Sequence, residues 1–318
     1  MLVACSNDQH VSIYTPIDEL VFADSVLKKC VVEEAKRRGW TTSGQMTQLV
    51  CVNPESDAVV KLDGIENLAN LQMLDLAHNA ISDANSIDQL GILTKLDLSY
   101  NRIKAVKFSQ LGITLKSLNL DHNQITEIIW LSVLHHIENL SISHNNIQNI
   151  EVVAALTDLQ SINLRNNRIV SIAPLKEVRA LREVDVGNNL ITNIDALGGD
   201  RQLILLQLDG NQISNVDGLI GLSALVELDL SNNQLTNVAK LAEITSLQHL
   251  NLSNNRISDT MALEELGAIE SINVKGNSLD CGMIEHLISA IGQDAVVADK
   301  CISSVVESLD TTDLAAPK

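Results

Sequence analysis

The sequence predicts an α/β repeat solenoid. It is a horseshoe with parallel strands on its concave face, short 3₁₀ or helical turns on its convex face, and a cap at each end. Three observations predict this. An asparagine recurs at an interval of 22 residues without insertion, at Asn79, Asn101, Asn123, Asn145, Asn167, Asn189, Asn211, Asn233, Asn255 and Asn277. Apolar residues hold fixed offsets from each asparagine, alternating on one side of it and recurring every third position on the other. Hydrophobic residues make up 45% of the chain but aromatics only 2%, so the core is a ladder of Leu, Ile and Val. A repeat array adds units to one continuous core, so the 318 residues read as one domain.

Each unit carries the frame Leu-x-x-Leu-x-Leu-x-x-Asn-x-Ile, as in Leu71, Leu74, Leu76, Asn79 and Ile81, or Leu247, Leu250, Leu252, Asn255 and Ile257. This is the frame of a leucine-rich repeat. Its Leu-x-Leu segment alternates with period two and makes a short strand with one buried face. The asparagine follows where the backbone leaves the sheet. Its amide both donates and accepts, so it satisfies peptide groups that no strand neighbour reaches. The returning half reads Ile-x-x-Ile-x-x-Leu-x-x-Leu, as in Ile147, Ile150, Val153 and Leu156. That spacing suits a short 3₁₀ or helical turn, and a unit this short has no room for a long helix. The thin convex side makes the stack curve toward its strands. The weakest unit runs from Ile103 to Leu115, where Ser109 and Gly112 replace core residues, so a local irregularity is expected there.

Solenoid ends expose core and need caps. Residues 17–61 are read as the N-terminal cap with a degenerate first repeat. Leu49, Val52, Asp57 and Val59 fall one period before Leu71, Leu74, Asn79 and Ile81, making 49–70 a partial first unit. Within the cap, residues 24–38 form an amphipathic helix. Asp24 or Ser25 caps it, Val26, Leu27, Cys30, Val31 and Ala35 share a face, and Gly39 stops it. Glu33 with Arg37 and Glu34 with Arg38 add exposed i,i+4 pairs. The repeats occupy 62–279, and residues 280–302 form a C-terminal cap with a second short helix from Leu279 to Ile291. Residues 1–16 are an N-terminal tether and 303–318 a flexible tail.

The five cysteines avoid the ten repeats. Cys30 and Cys51 fall in one cap, Cys281 and Cys301 in the other, as two local disulfides would require. The alternative is four buried free thiols in a cytosolic protein. Cys5 follows Leu2-Val3-Ala4, which resembles the lipobox of bacterial prolipoproteins, with Cys5 as the lipidated residue. Only four residues precede it, so this reading requires a longer precursor with a signal peptide.

The frame resembles the 22-residue repeats of internalins and of the regulatory subunit of protein phosphatase 1. The segments Gly39-Trp40, Leu49-Val50-Cys51 and Asn277-Ser278-Leu279-Asp280-Cys281 look more like exported bacterial leucine-rich repeat lipoproteins. The resemblance implies an envelope or outer-membrane lipoprotein that binds another protein or a surface polymer through its concave face, without catalysis. The alternative it leaves is a cytosolic scaffold of the phosphatase-regulator type.

The register assigns the outward strand positions. The central column is Asp75, Asp97, Asn119, Ser141, Asn163, Asp185, Gln207, Asp229, Asn251 and Asn273. The column before it is Met73, Lys95, Ser117, Asn139, Ser161, Glu183, Leu205, Glu227, His249 and Ser271. Both are expected to face a ligand, and the central one reads as the binding face. His78, Tyr100, His122 and His144 share a third column, where other units carry Asn or Gly. Two neighbouring imidazoles with only Asp121 nearby make a poor zinc site, so this column reads as drift of a turn position. A net charge of -18 opposes any phosphate backbone, which argues against nucleic acid. No apolar run approaches the roughly 20 residues of a membrane span, which leaves a lipid on Cys5 as the expected membrane contact. Phosphate-binding loops, nucleophile elbows and zinc-hydrolase motifs are absent, so no enzyme, metal or cofactor is expected.

Overall fold

The computed structural model describes residues 15–52, 57–199 and 202–300. Cys5, Cys301, most of the 1–16 tether and the 303–318 tail lie outside the described residues. Twelve strands form one parallel sheet in chain order: β1 (Gln48–Val50), β2 (Met73–Asp75), β3 (Lys95–Asp97), β4 (Ser117–Asn119), β5 (Asn139–Ser141), β6 (Ser161–Asn163), β7 (Glu183–Asp185), β8 (Leu205–Gln207), β9 (Glu227–Asp229), β10 (His249–Asn251), β11 (Ser271–Asn273) and β12 (Val296–Val297). From β2 to β11 every residue pairs with the one 22 positions on, such as Leu74 with Leu96 and Leu140 with Ile162. Short 3₁₀ segments return the chain on the convex side. The result is the expected leucine-rich repeat horseshoe with one continuous aliphatic core.

Each ladder asparagine is buried or nearly so and bridges two units. Asn145 Nδ2 donates to the carbonyls of Leu120 (3.0 Å) and Ser143 (2.9 Å), while its Oδ1 accepts from Ile125 N (2.9 Å). The same set recurs at Asn79, Asn101, Asn123, Asn167, Asn189, Asn211, Asn233 and Asn255, and Asn277 closes the series half-exposed.

A second column was missed by the sequence reading. Asp83, Asn149, Ser171, Asn193, Asn215, Asn237 and Asp259 each accept a bond from the backbone N–H two residues on, at the start of a 3₁₀ segment. Ala105 occupies that place in the weak unit and has no acceptor. Asp88 of the preceding unit substitutes, accepting from the N–H groups of Ser109 and Gln110 and from Ser109 Oγ, and the 3₁₀ segment begins late, at Leu111–Ile113. Phe108 fills the core there, edge-on to Trp130, and Gly112 packs against the Val133 carbonyl with no room for a side chain.

The first unit corrects the expected alignment. Leu49 pairs with Leu74, an offset of 25 residues where later strands keep 22. Met46, Leu49 and Cys51 therefore hold the places of Leu71, Leu74 and Leu76, and all are buried. The Cys51 carbonyl accepts from Asn79 Nδ2, as the Leu76 carbonyl accepts from Asn101. Val59 keeps its expected place, giving its N–H to Asn79 Oδ1. The three added residues lie after Cys51, so Val52 and Asp57 are not core and ladder positions. This register turns Cys51 inward toward the capping helix, where it forms a disulfide with Cys30. Closing a loop of 21 residues contributes about 3 kcal/mol in the chain-entropy picture.

That helix, α1 (Ser25–Arg38), starts at Asp24 and ends at Gly39 in a left-handed conformation, as expected. The expected Glu34–Arg38 pair forms (2.7 Å), but Glu34 is buried rather than exposed and takes Arg37 as well (2.6 Å), so the expected Glu33–Arg37 pair is absent among the described residues. At the other end α2 (Cys281–Ile291) is capped by Asp280 and buries Ile284 and Leu287. Cys281 has no disulfide partner among the described residues, and Cys301, its expected partner, lies outside them. No helix among the described residues is long and apolar enough to cross a membrane.

The concave strand face as candidate binding site

Strand register places the central column, Asp75, Asp97, Asn119, Ser141, Asn163, Asp185, Gln207, Asp229, Asn251 and Asn273, in one row across the sheet, every member half-buried. Most of these side chains are already occupied. Asp75, Asp97, Asn119, Asn163, Asp185, Asp229, Asn251 and Asn273 accept from the N–H two residues on, which turns the chain out of the strand. Ser141 is too short for that bond, and Asp121 of the previous unit caps Ser143 N in its place while accepting from Ser141 Oγ (2.7 Å). Lateral bonds link the row further, from Asn119 to Asp97 (3.0 Å), Asn251 to Asp229 (2.9 Å) and Gln207 to Glu227 (2.9 Å). The central column is thus partly scaffold.

The preceding column is freer. Lys95, Asn139, Glu183, His249 and Ser271 are exposed, and their lateral bonds are single ones, Ser161 to Glu183 and His249 to Ser271 (both 3.1 Å). Lys95 forms no ion pair among the described residues. In the middle of the face Arg165 reaches across one whole unit to Asp209 (2.8 and 2.5 Å) and also meets Asp185 (3.3 Å). Gly187 lies beneath this fork, where any side chain would collide with the guanidinium. Burial, helped by Asp209, pushes the Asp185 carboxyl above its ordinary range, although Gly187 N–H and Arg165 pull against it.

The aromatic column is more than drift. His78, Tyr100, His122 and His144 all have positive φ, between 51° and 56°, the conformation that Asn and Gly supply in other units. Their rings stack in a file with centroids 4.1, 4.1 and 3.9 Å apart. Asn166 extends the file, its amide 2.9 Å from His144 Nε2. Facing rings hold their nitrogens at the edge of the stack rather than around a shared point. Among the described residues no group of three or more His, Cys, Asp or Glu is placed to hold a metal ion. Desolvation, with the neighbouring His144 and His78, lowers the pKa of His122.

Leucine-rich repeat family models match residues 59–103, 113–127, 157–199, 224–241 and 243–260. With the asparagine ladder and parallel sheet, they define the class: a leucine-rich repeat solenoid. Within that class its form is internalin-like. An internalin (inlF) from Listeria monocytogenes is 25% identical, with a TM-score of 0.75 over 94% of this chain and 96% of that one. The functional domain of InlJ from the same organism, whose structure includes a cysteine ladder, is 23% identical, with a TM-score of 0.74 over 90% of this chain and 62% of that one. A leucine-rich repeat protein of Leptospira interrogans is 24% identical, with a TM-score of 0.68 over 80% and 66%. No curated protein sequence matches the chain.

Proposed function

We propose that this protein is a non-enzymatic binding module that engages a protein partner through its concave strand face. One observation carries the reading: the in-register column from Met73 to Ser271 presents side chains to solvent on consecutive strands, with few of them committed to the scaffold. Protein binding is what the internalin resemblance implies for such a face. We further propose that the protein is exported as a bacterial lipoprotein of the cell envelope, with lipid on Cys5 and a second disulfide between Cys281 and Cys301. The Cys30–Cys51 disulfide supports an oxidising compartment, and similarity to an internalin over nearly the whole of both chains agrees with it.

Two measurements test these statements. The partner is captured from the native host and rebound to an Asn139→Arg/His249→Arg variant, which adds bulk and positive charge to the face. Binding is expected to be lost while the melting temperature stays unchanged, because both side chains are exposed. Charge reversals at Asp97, Asp185 or Asp229 are poor tests, since each also removes a turn-forming acceptor. For location, the intact mass of the host-isolated protein should show a lipidated chain beginning at Cys5 that gains four hydrogens on reduction. An unlipidated chain with every cysteine free would direct attention to the cytosolic scaffold reading.

A further inference from the structure

Two adjoining columns of the concave face, the one beginning at Gln72 and the one beginning at Met73, are polar along nearly their whole length. They break at one place. Ile204, Leu205 and Val226 are aliphatic where the adjacent units carry Arg182, Glu183, Gln248 and His249. Met73, at the far end of the sheet, is the one other apolar residue in these columns.

The three form a contiguous patch for a backbone reason. The Ile204 carbonyl accepts from both Val226 N (2.9 Å) and Glu227 N (3.0 Å), the same entry into the strand that the Gln72 carbonyl gives Thr94 N and Lys95 N, and Ile204, Leu205 and Val226 all keep exposure on the outer side. Ile204 is 40% exposed, and Leu205 and Val226 are half-buried. Neighbouring strands lie about 4.8 Å apart, which brings Ile204 beside Val226. The fold does not call for them: Leu203, Leu206, Leu208, Leu225 and Leu228 already fill the core of these units.

The surroundings are acidic. Glu183 and Glu227 flank Leu205 in its own column, Asp229 pairs with Gln207 in the central column, and Asp185 and Asp209 are held by Arg165. Gln207 fixes one oxygen of Glu227 and Ser161 one oxygen of Glu183, leaving the second oxygen of each without a hydrogen bond among the described residues. Arg182 is the other cation at the edge. A hollow of about 300 Å³, lined by Glu227, Asp229, His249, Asn251, Ser271 and Asn273, opens alongside.

We propose that β7 to β9 form the principal contact for a partner protein that presents an aliphatic side chain next to lysine or arginine. The aliphatic group covers Ile204, Leu205 and Val226, and the cations meet the free oxygens of Glu183 and Glu227. This rests on the concave-face reading and names the chemistry it selects. A second copy of the chain is a poor occupant, since its net charge of -18 adds to the repulsion.

The test uses the full chain and three fluorescein-labelled peptides of equal length, alternating lysine with leucine, lysine with serine, or glutamate with leucine. Fluorescence anisotropy is read at low and high salt. The lysine–leucine peptide is expected to bind at least about tenfold more tightly than either of the others. Leu205→Ser/Val226→Ser and Glu183→Gln/Glu227→Gln should each weaken it by about tenfold, whereas Met73→Ser should not. Equal affinity for the lysine–leucine and lysine–serine peptides would mean charge attraction alone and would overturn the proposal, as would undiminished binding to Leu205→Ser/Val226→Ser. The natural partner separates the two levels. If Asn139→Arg/His249→Arg releases it and Leu205→Ser/Val226→Ser does not, this inference falls and the concave-face reading stands; if neither releases it, both fall.

Discussion

Asn145 shows how much of the fold rests on single side chains. Its amide satisfies Leu120, Ile142 and Ser143 carbonyls and the Ile125 N–H, groups that face no strand neighbour. Replacing it with alanine orphans several of them in a buried site. At about 1 to 3 kcal/mol for each unmet group, Asn145→Ala should lower the unfolding free energy by at least about 2 kcal/mol in denaturant titration. A loss below about 0.5 kcal/mol would show that water or a relaxed turn replaces the amide. The 22-residue ladder made these asparagines legible in the sequence. The double duty of Asp97 or Asp229 was not, because an outward carboxylate on a strand looks the same in sequence whether it faces a ligand or closes its own turn. The left-handed column was half-legible. Its Asn and Gly members announce positive φ, but the parallel stacking of His78, Tyr100, His122 and His144 depends on three dimensions.

Among the elements, α1 and the first unit show what fixes a cap. Asp24 does more than start the helix: beyond Val26 N and Leu27 N, its second oxygen accepts from Val60 N (2.8 Å) and Lys61 N (3.1 Å), clamping the helix to the first repeat. Burial works to raise the Asp24 pKa, but these four backbone bonds outweigh it and hold the carboxyl below its ordinary range. A carboxylate with a depressed folded-state pKa contributes stability that is present above its unfolded value, near 4, and is lost as pH falls through the lowered folded value. Amide hydrogen exchange in α1 should therefore quicken as pH drops below about 4, after correction for the intrinsic rate. The Asp24→Asn variant should show that loosened helix already at neutral pH. Identical pH profiles for the two proteins would contradict the clamp. Helix limits and the Cys30–Cys51 pair were legible from capping residues and cysteine placement. The three-residue shift of β1 was not, because counting back one period from Leu71 and Leu74 also landed on the apolar pair Leu49 and Val52. Met46-x-x-Leu49-x-Cys51 carried the correct frame. Likewise the late 3₁₀ segment at Leu111 follows from Ala105, a missing acceptor in a column whose regularity the sequence displays.

At the scale of the whole molecule, a stack of nearly identical units converts sequence period into a surface. Each strand adds one row, the asparagine ladder and the Asx turns hold the rows in register, and the polar columns of the concave side become a continuous face whose composition varies only from unit to unit. On the proposed reading, what varies is what would select a partner: Lys95 near one end, the Arg165 fork in the middle, and the aliphatic patch between Glu183 and Glu227. Fold class was fully legible because the repeat dictates it. The identity of a partner was not, since binding residues occupy positions that the repeat leaves unconstrained. Site-specific photocrosslinking in the native host decides whether this face, and not the convex side, meets a protein partner. A photoreactive residue is placed at Asn139 or His249 on the concave side, and at Lys104 or Glu177 on the convex side, all of them exposed. One common protein adduct is expected from both concave positions and none from the convex ones. Adducts from Lys104 or Glu177 alone would contradict the concave-face reading.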